Sequence, residues 1–305
     1  GARPTVDQIA AQTSGDMQAW LAQVVRPANG ILVVVGDVGV ESAVSAAHDA
    51  LDRLGGAPGA IAAPPPVPPR ANGVGLGALD DARAAIVTHR PGSSQAALDL
   101  RCVLPPADAR GDAAHDVLAD FVGSWLQDDL RHRWGSTYGV HAFASTLRGG
   151  TATLTIQANI DNGRLAVAFG ELRRFWRDVV ANGIPNDDVR RSRDSMSLNR
   201  LLSYDTSPAL SDALVERWNQ GWKVRTIDEA PAEFASVDVA EMNAALRACA
   251  DNLVVGVTGD EGVIRAAFAA RDSRPPAPSV APASSAPSVA PEPPAPSAPP
   301  APSAP

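Results

Sequence analysis

The stretch S-W-L-Q-D-D-L-R-H-R-W-G-S-T-Y-G, Ser124 to Gly139, holds a change of period on which the rest of the chain can be read. Its first half closes a helical pattern. Val117, Leu118, Phe121, Val122, Trp125, Leu126 and Leu130 recur at spacings of three and four and so share one face. Its second half opens a strand pattern. Beyond Gly135, the residues Tyr138, Val140, Ala142 and Ala144 alternate with their neighbours on one side. Across a Gly149-Gly150 turn, Leu154, Ile156, Ala158 and Ile160 alternate against Thr153, Thr155, Gln157 and Asn159. The passage predicts a long amphipathic helix that runs directly into an antiparallel hairpin.

Working outward, Ala84 to His89 and Gln95 to Val103 read as strands around a Pro91-Gly92 turn. Downstream, Leu165 to Val180, Asp187 to Leu202 and Pro208 to Trp222 read as successive helices. Val239 to Ala248 is another, followed by a strand from Leu253 to Val257. The expected fold class is α+β, a mostly antiparallel sheet backed by helices. Near the start, Asp16 to Arg26 carries Met17, Trp20, Leu21 and Val24 on one face of a short helix, Ile31 to Val35 reads as a buried strand, and Glu41 to Leu54 as a helix.

These first elements echo the last ones. N-G-I-L-V-V-V-G-D, Asn29 to Asp37, returns as N-L-V-V-G-V-T-G-D, Asn252 to Asp260, and the preceding helices match as Asp16-Met17 with Glu241-Met242. Helix, strand and Gly-Asp turn recur in the same order about 220 residues apart, which implies tandem duplicated units rather than a solenoid. Residues 1–54 are then the C-terminal remnant of a preceding homologous unit. Residues 55–78, rich in Pro, Gly and Ala, form an extended linker, and Gly73, Gly75 and Gly77 belong to it rather than to a phosphate loop. Residues 79–270 form the main domain, and residues 271–305, almost entirely Pro, Ala and Ser, form a disordered tail.

Composition narrows the function. With a net charge of −8, the chain lacks the basic stripe of a nucleic-acid binder. Its longest strongly apolar run, Ile31 to Val35, is far short of the ~20 residues that cross a bilayer. No charged-then-apolar signal segment opens the chain, which begins with Gly, so a leader or an upstream region is compatible with it. Cys102 and Cys249 form no C-x-x-C pair and no metal spacing, and are expected to be ordinary thiols in a domain large enough to need no staple. The tail composition hints at a bacterial envelope setting, with the cytoplasm as the other compartment.

The residues from about Val6 to Asp260 resemble the insulinase/pitrilysin family of zinc metallopeptidases, which includes the mitochondrial processing peptidases. The resemblance rests above all on Ser124 to Gly139. The family's non-zinc unit reads S-R-L-x-x-x-L-R-E-x-x-G-x-x-Y-G there, and Ser124, Leu126, Leu130, Arg131, Gly135, Tyr138 and Gly139 match at the right spacing. Pro91 to Gln95, the Asn252 to Asp260 strand and the Pro-rich linker add to it. The departures are Trp125 for the family's Arg, His132 for its Glu, and a single Gly123 where two or three glycines are usual. The resemblance implies a substrate-binding, zinc-free half of a two-part metalloendopeptidase. A partner domain or chain bearing H-x-x-E-H would supply zinc, and an extended peptide would be the substrate. Relatives that serve as non-catalytic assembly subunits offer the alternative.

The residues agree that this chain holds no zinc centre of its own. Neither H-x-x-E-H nor H-E-x-x-H occurs among His48, His89, His115, His132 and His141, so no metal ligands and no general base are expected here. The resemblance assigns Arg131 and Tyr138 to the substrate near the scissile bond. Arg brings a permanently charged donor fork and Tyr a directional hydroxyl, the groups that can hold a carbonyl as negative charge develops on it. Spacing alone leaves another arrangement open, in which Arg131 pairs with Asp128 on the helix surface and Tyr138 packs in the hairpin.

Overall fold

The computed structural model describes residues 4–26, 30–54, 75–148, 150–222 and 230–270. The Pro-rich stretch before residue 75 and the Pro/Ala/Ser-rich tail lie outside the described residues. Three helices come first: α1 (Val6–Ala10), α2 (Ser14–Val24) and α3 (Val40–Leu54). Thr13 and Asp16 cap α2 reciprocally, each side chain accepting from the other's backbone N–H. Between α2 and α3 the expected buried strand does not form. Ile31 to Val35 has no ladder partner, and Leu32 and Val34 are half exposed. An extended segment needs neighbours to satisfy its backbone and cover its side chains, and none of the described elements provides them.

The main body begins at Gly75–Leu79, a 3₁₀ turn that buries Ala78 and Leu79 and donates Gly75 N–H to Leu253 O at 3.1 Å. Packing therefore starts a turn ahead of the boundary expected at residue 79, and Gly75 is core rather than linker. There follow β1 (Ile86–His89), β2 (Gln95–Leu104), α4 (Ala109–Gln127), β3 (Thr137–Thr146), β4 (Ala152–Asp161), α5 (Leu165–Asn182), α6 (Asn186–Leu202), α7 (Ser207–Gln220), α8 (Ala230–Ala235), α9 (Val239–Asp251), β5 (Val254–Gly259) and α10 (Glu261–Ala269). The strand order is β1-β5-β2-β4-β3, with only β1 and β5 parallel. This is the mostly antiparallel, helix-backed α+β sheet that the alternation predicts. The short helices α1, α8 and α10 were not foreseen, because a turn or two leaves too few residues to display a period.

Among the described residues, helices cover one face of the sheet only. Leu98 and Leu100 of β2 and Leu154, Ile156 and Ile160 of β4 point into a core with Leu118, Phe169, Trp176, Leu246 and Ile264 from α4, α5, α9 and α10. Full burial of each such side chain contributes roughly 1.5–3 kcal/mol. The opposite face stays open, with Ala97, Arg101, His141, Phe143, Asn159 and Asp161 exposed. No helix among the described residues is long and apolar enough to cross a membrane.

The two cysteines correct the sequence expectation. Cys102 lies on the buried face of β2 and Cys249 on the buried face of α9, their Cα atoms 4.9 Å apart, and they form a disulfide. A separation of 147 residues gave no hint of it, since only the packing of α9 across β2 brings them together. The covalent link closes most of the main body into one loop.

A second constraint ties α6 to α4. Asp116 accepts from Arg200 at 3.1 Å in a junction that also holds Asp112 and Glu216. Burial, reinforced by the Asp112 charge, pushes the Asp116 carboxyl up to about 7, and burial raises Asp112 as well. The folded state thus keeps on Asp116 a proton that the unfolded chain releases near pH 4, so the contribution of this group to stability falls as pH rises between these two values and is flat above.

Two outcomes follow. Reducing the disulfide, or replacing both cysteines by Ala, lowers the urea midpoint. The chain-entropy model sets the scale at about 5 kcal/mol for so long a loop. An unchanged midpoint would remove the staple from the account. Asp116→Asn stabilises the protein relative to wild type at pH 8 and not at pH 4, as parallel urea titrations of the two proteins at the two pH values would register.

Candidate functional site

The helix-to-hairpin passage makes one corner of the open face. At its C-terminal end α4 widens into a π turn, Asp128–Arg133, an irregularity common near functional sites. Asp129 anchors that turn. It is buried and pairs with Arg133 at 2.9 Å and with Arg174 of α5 at 2.9 Å. Gly135 then reverses the chain at φ +57°, a left-handed conformation that favours glycine. Gly135 N–H donates to Arg131 O at 3.0 Å, and Ser136 N–H to Leu130 O at 2.7 Å. Earlier on α4, a Cβ on Gly123 would come within 3.2 Å of the Ala142 Cβ, so α4 crosses β3 closely at this glycine.

Arg131 and Tyr138 come together here. Both line an open groove of about 620 Å³ with Gln127, Val140 and His141 on one side and Gln95, Asp99, Gln157 and Asn159 on the floor. Arg131 is exposed and makes no ion pair among the described residues. The alternative pairing with Asp128 does not occur, since Asp128 is taken by His132 Nδ1 at 3.0 Å. Tyr138 does not pack in the hairpin either; it is 82% exposed. Alternation from Val140, Ala142 and Ala144 would turn it towards α4. A β-bulge reverses it: Thr137 faces Ile160 and Val140 faces Ala158, so three steps on β3 oppose two on β4.

The groove floor is polar and internally paired. Arg101 beside Asp99 holds its carboxyl below the ordinary range, the guanidinium bonding both oxygens at 2.8 Å, and Gln157 adds a bond at 3.2 Å. Asp99, Arg101, Gln157 and Gln127 are not among the residues that the sequence singles out, whereas His141, which flanks the Arg131–Tyr138 segment in sequence, also lines the groove. The polar phase of the β2 and β4 alternation could have found Asp99 and Gln157, and a spacing of one helical turn from Arg131 could have found Gln127.

Among the described histidines, His141 alone lines the groove. His115 is buried on α4, and burial lowers its pKa to about 4, so it stays neutral. His89 accepts from Glu261 N–H at 3.1 Å at the start of α10. Among the described residues, no three His, Cys, Asp or Glu side chains converge to hold a metal ion. Trp125, where the family has Arg, is half-buried, with Phe175 at 4.7 Å and the Arg174 guanidinium over its ring at 4.9 Å. It thus packs the anchor of the π turn rather than facing the groove.

Comparison with known proteins agrees with this architecture. Residues 12–196 match the family model described as the peptidase M16 inactive domain. No curated protein matches. Among solved structures, a protease from Helicobacter pylori is similar with a TM-score of 0.68 at 15% identity, over 83% of this chain and 61% of that one. The periplasmic protease PqqL from Escherichia coli has a TM-score of 0.65 at 16% identity, over 84% of this chain and 28% of that one. Pitrilysin has a TM-score of 0.60 at 14% identity, over 84% and 27%. At such identities the likeness is one of fold, and this chain spans less than two thirds of each of these proteins. With the family model covering more than half its length, the chain belongs to the peptidase M16 inactive-domain family, within the insulinase/pitrilysin peptidases.

Proposed function

We propose that this protein forms the substrate-binding, zinc-free wall of a two-part zinc metalloendopeptidase, with zinc, water and general base supplied by an H-x-x-E-H-bearing domain or chain. The observation that carries the reading is the shared groove. Arg131 and Tyr138 line the same open cleft, both exposed, on the one sheet face that helices leave uncovered. A guanidinium and a phenol aimed into one cleft suit a peptide carbonyl that gains negative charge as water attacks it. The groove runs beside β3, one of the two edge strands of the sheet, and an extended peptide can add to such an edge.

The N-terminal segment supports a partner of the same fold. Met17, Leu21, Leu32 and Val34 of the first copy correspond to Met242, Leu246, Val255 and Val257 of the second. The second set is buried; in the first, all four are about half exposed. In the second copy this helix–strand unit places β5 between β1 and β2. The first copy carries the same apolar pattern without a sheet to receive it, as the remnant of a preceding homologous unit would. The Cys102–Cys249 disulfide favours an oxidising compartment for the assembled enzyme.

The test is cleavage of a quenched fluorescent peptide library, with zinc present, by this chain, by an H-x-x-E-H-bearing partner, and by the two mixed. Activity appears only in the mixture, and Arg131→Ala then lowers kcat by about a hundredfold with little change in KM. A stable complex with zinc in the partner and no cleavage would make this chain a structural assembly subunit instead. A raised KM at unchanged kcat would make Arg131 a ground-state contact only.

A further inference from the structure

The exposure of Tyr138 depends on a bulge, and the bulge has a partner outside its own strand. Sequence parity groups Tyr138 with Val140, Ala142 and Ala144, whose side chains turn towards α4. Removing the extra residue from the Thr137–Val140 stretch would restore that parity and carry Tyr138 out of the groove, because a slip of one residue moves a side chain to the other face of a sheet. Two contacts oppose the slip. The Thr137 hydroxyl donates to Gly139 O at 2.9 Å and accepts from Gly139 N–H at 3.2 Å, which closes the bulge on itself. Val140 N–H donates to Gln127 Oε1 at 2.7 Å, which ties the bulge to the last turn of α4. Gln127 precedes Arg131 by one helical turn and lines the same groove. One side chain therefore links the element that carries Arg131 to the backbone that aims Tyr138.

We propose that Gln127 is a positioning residue, whose carboxamide oxygen holds the β3 bulge in register and so keeps Tyr138 in the groove beside Arg131. The proposal rests on the peptidase-wall reading for its functional consequence, but not for its structural one. A methionine at this position has similar volume and no comparable acceptor, whereas a glutamate keeps an acceptor oxygen at the same distance along the side chain. Thr137 would remain in both variants, so the fold of the hairpin is not expected to be lost with Gln127.

The experiment uses the full chain as wild type, Gln127→Met and Gln127→Glu, with Gln127→Ala as a second acceptor-less variant should Met disturb the packing. Three quantities are read: amide exchange at Val140, nitration of Tyr138 by tetranitromethane, and kcat and KM in the zinc-supplied mixture. Tyr204, whose hydroxyl is buried, is the internal control for nitration. In Gln127→Met, Val140 exchange rises about tenfold, the scale of one lost hydrogen bond. Tyr138 nitration falls by half or more, kcat falls at nearly constant KM, and Gln127→Glu restores all three. Unchanged Val140 exchange and Tyr138 nitration in Gln127→Met overturn the proposal, as does a Gln127→Glu variant that behaves like Gln127→Met while both keep the wild-type melting temperature. A wild-type mixture with no cleavage defeats the peptidase reading alone, since exchange and nitration still decide what Gln127 holds.

Discussion

Asp129 is a carboxylate buried at the C-terminal end of a long helix, where the backbone carbonyls already carry partial negative charge. Left alone it would be strongly destabilising in that position. Arg133 and Arg174 make it tolerable, and in doing so they fix the corner of the molecule. Arg174 reaches from α5, bonds Glu171 as well and lies over Trp125. Glu171 is itself buried, and burial together with Asp129 raises its pKa. The π turn is therefore clamped from beneath by charge pairs among buried and half-buried side chains, while Arg131 on the same turn points away from the clamp with its guanidinium uncommitted. Trp125 belongs to this support, which gives a physical reason why an aromatic can stand where relatives carry arginine.

The uncommitted groups are useful only because the sheet is covered on one side. Four helices bury one phase of the strand alternation, and the other phase is left polar, paired within itself through Asp99, Arg101 and Gln157. A floor whose charges are already satisfied offers no strong fixed charge to select a ligand. The side chains at the rim are Arg131, Tyr138, Gln127 and His141.

The same helix–strand pattern meets two fates within one chain. Near the C-terminus it buries Met242, Leu246, Val255 and Val257 and places a strand in the interior of the sheet. Near the N-terminus the matching residues are open and Ile31 to Val35 has no ladder. Both helices keep reciprocal caps, Thr13 with Asp16 and Asp238 with Glu241, because caps are local. Only the sheet, which needs neighbours, separates them.

By itself the sequence determined what depends on near neighbours: the long helix to Leu130, the alternating hairpin, the α+β class, and the motif that set Arg131 and Tyr138 side by side as candidates. Periods of two and three to four are written in consecutive residues, so they survive without a structure. Tertiary structure alone decided the rest. The Cys102–Cys249 link needed α9 to cross β2, the Asp129 clamp needed α5 against the π turn, and burial of Ile31 to Val35 failed for want of strands beside it. The side of the sheet on which Tyr138 stands was reversed by one extra residue in a bulge, a matter of register between β3 and β4 that no pattern within β3 records.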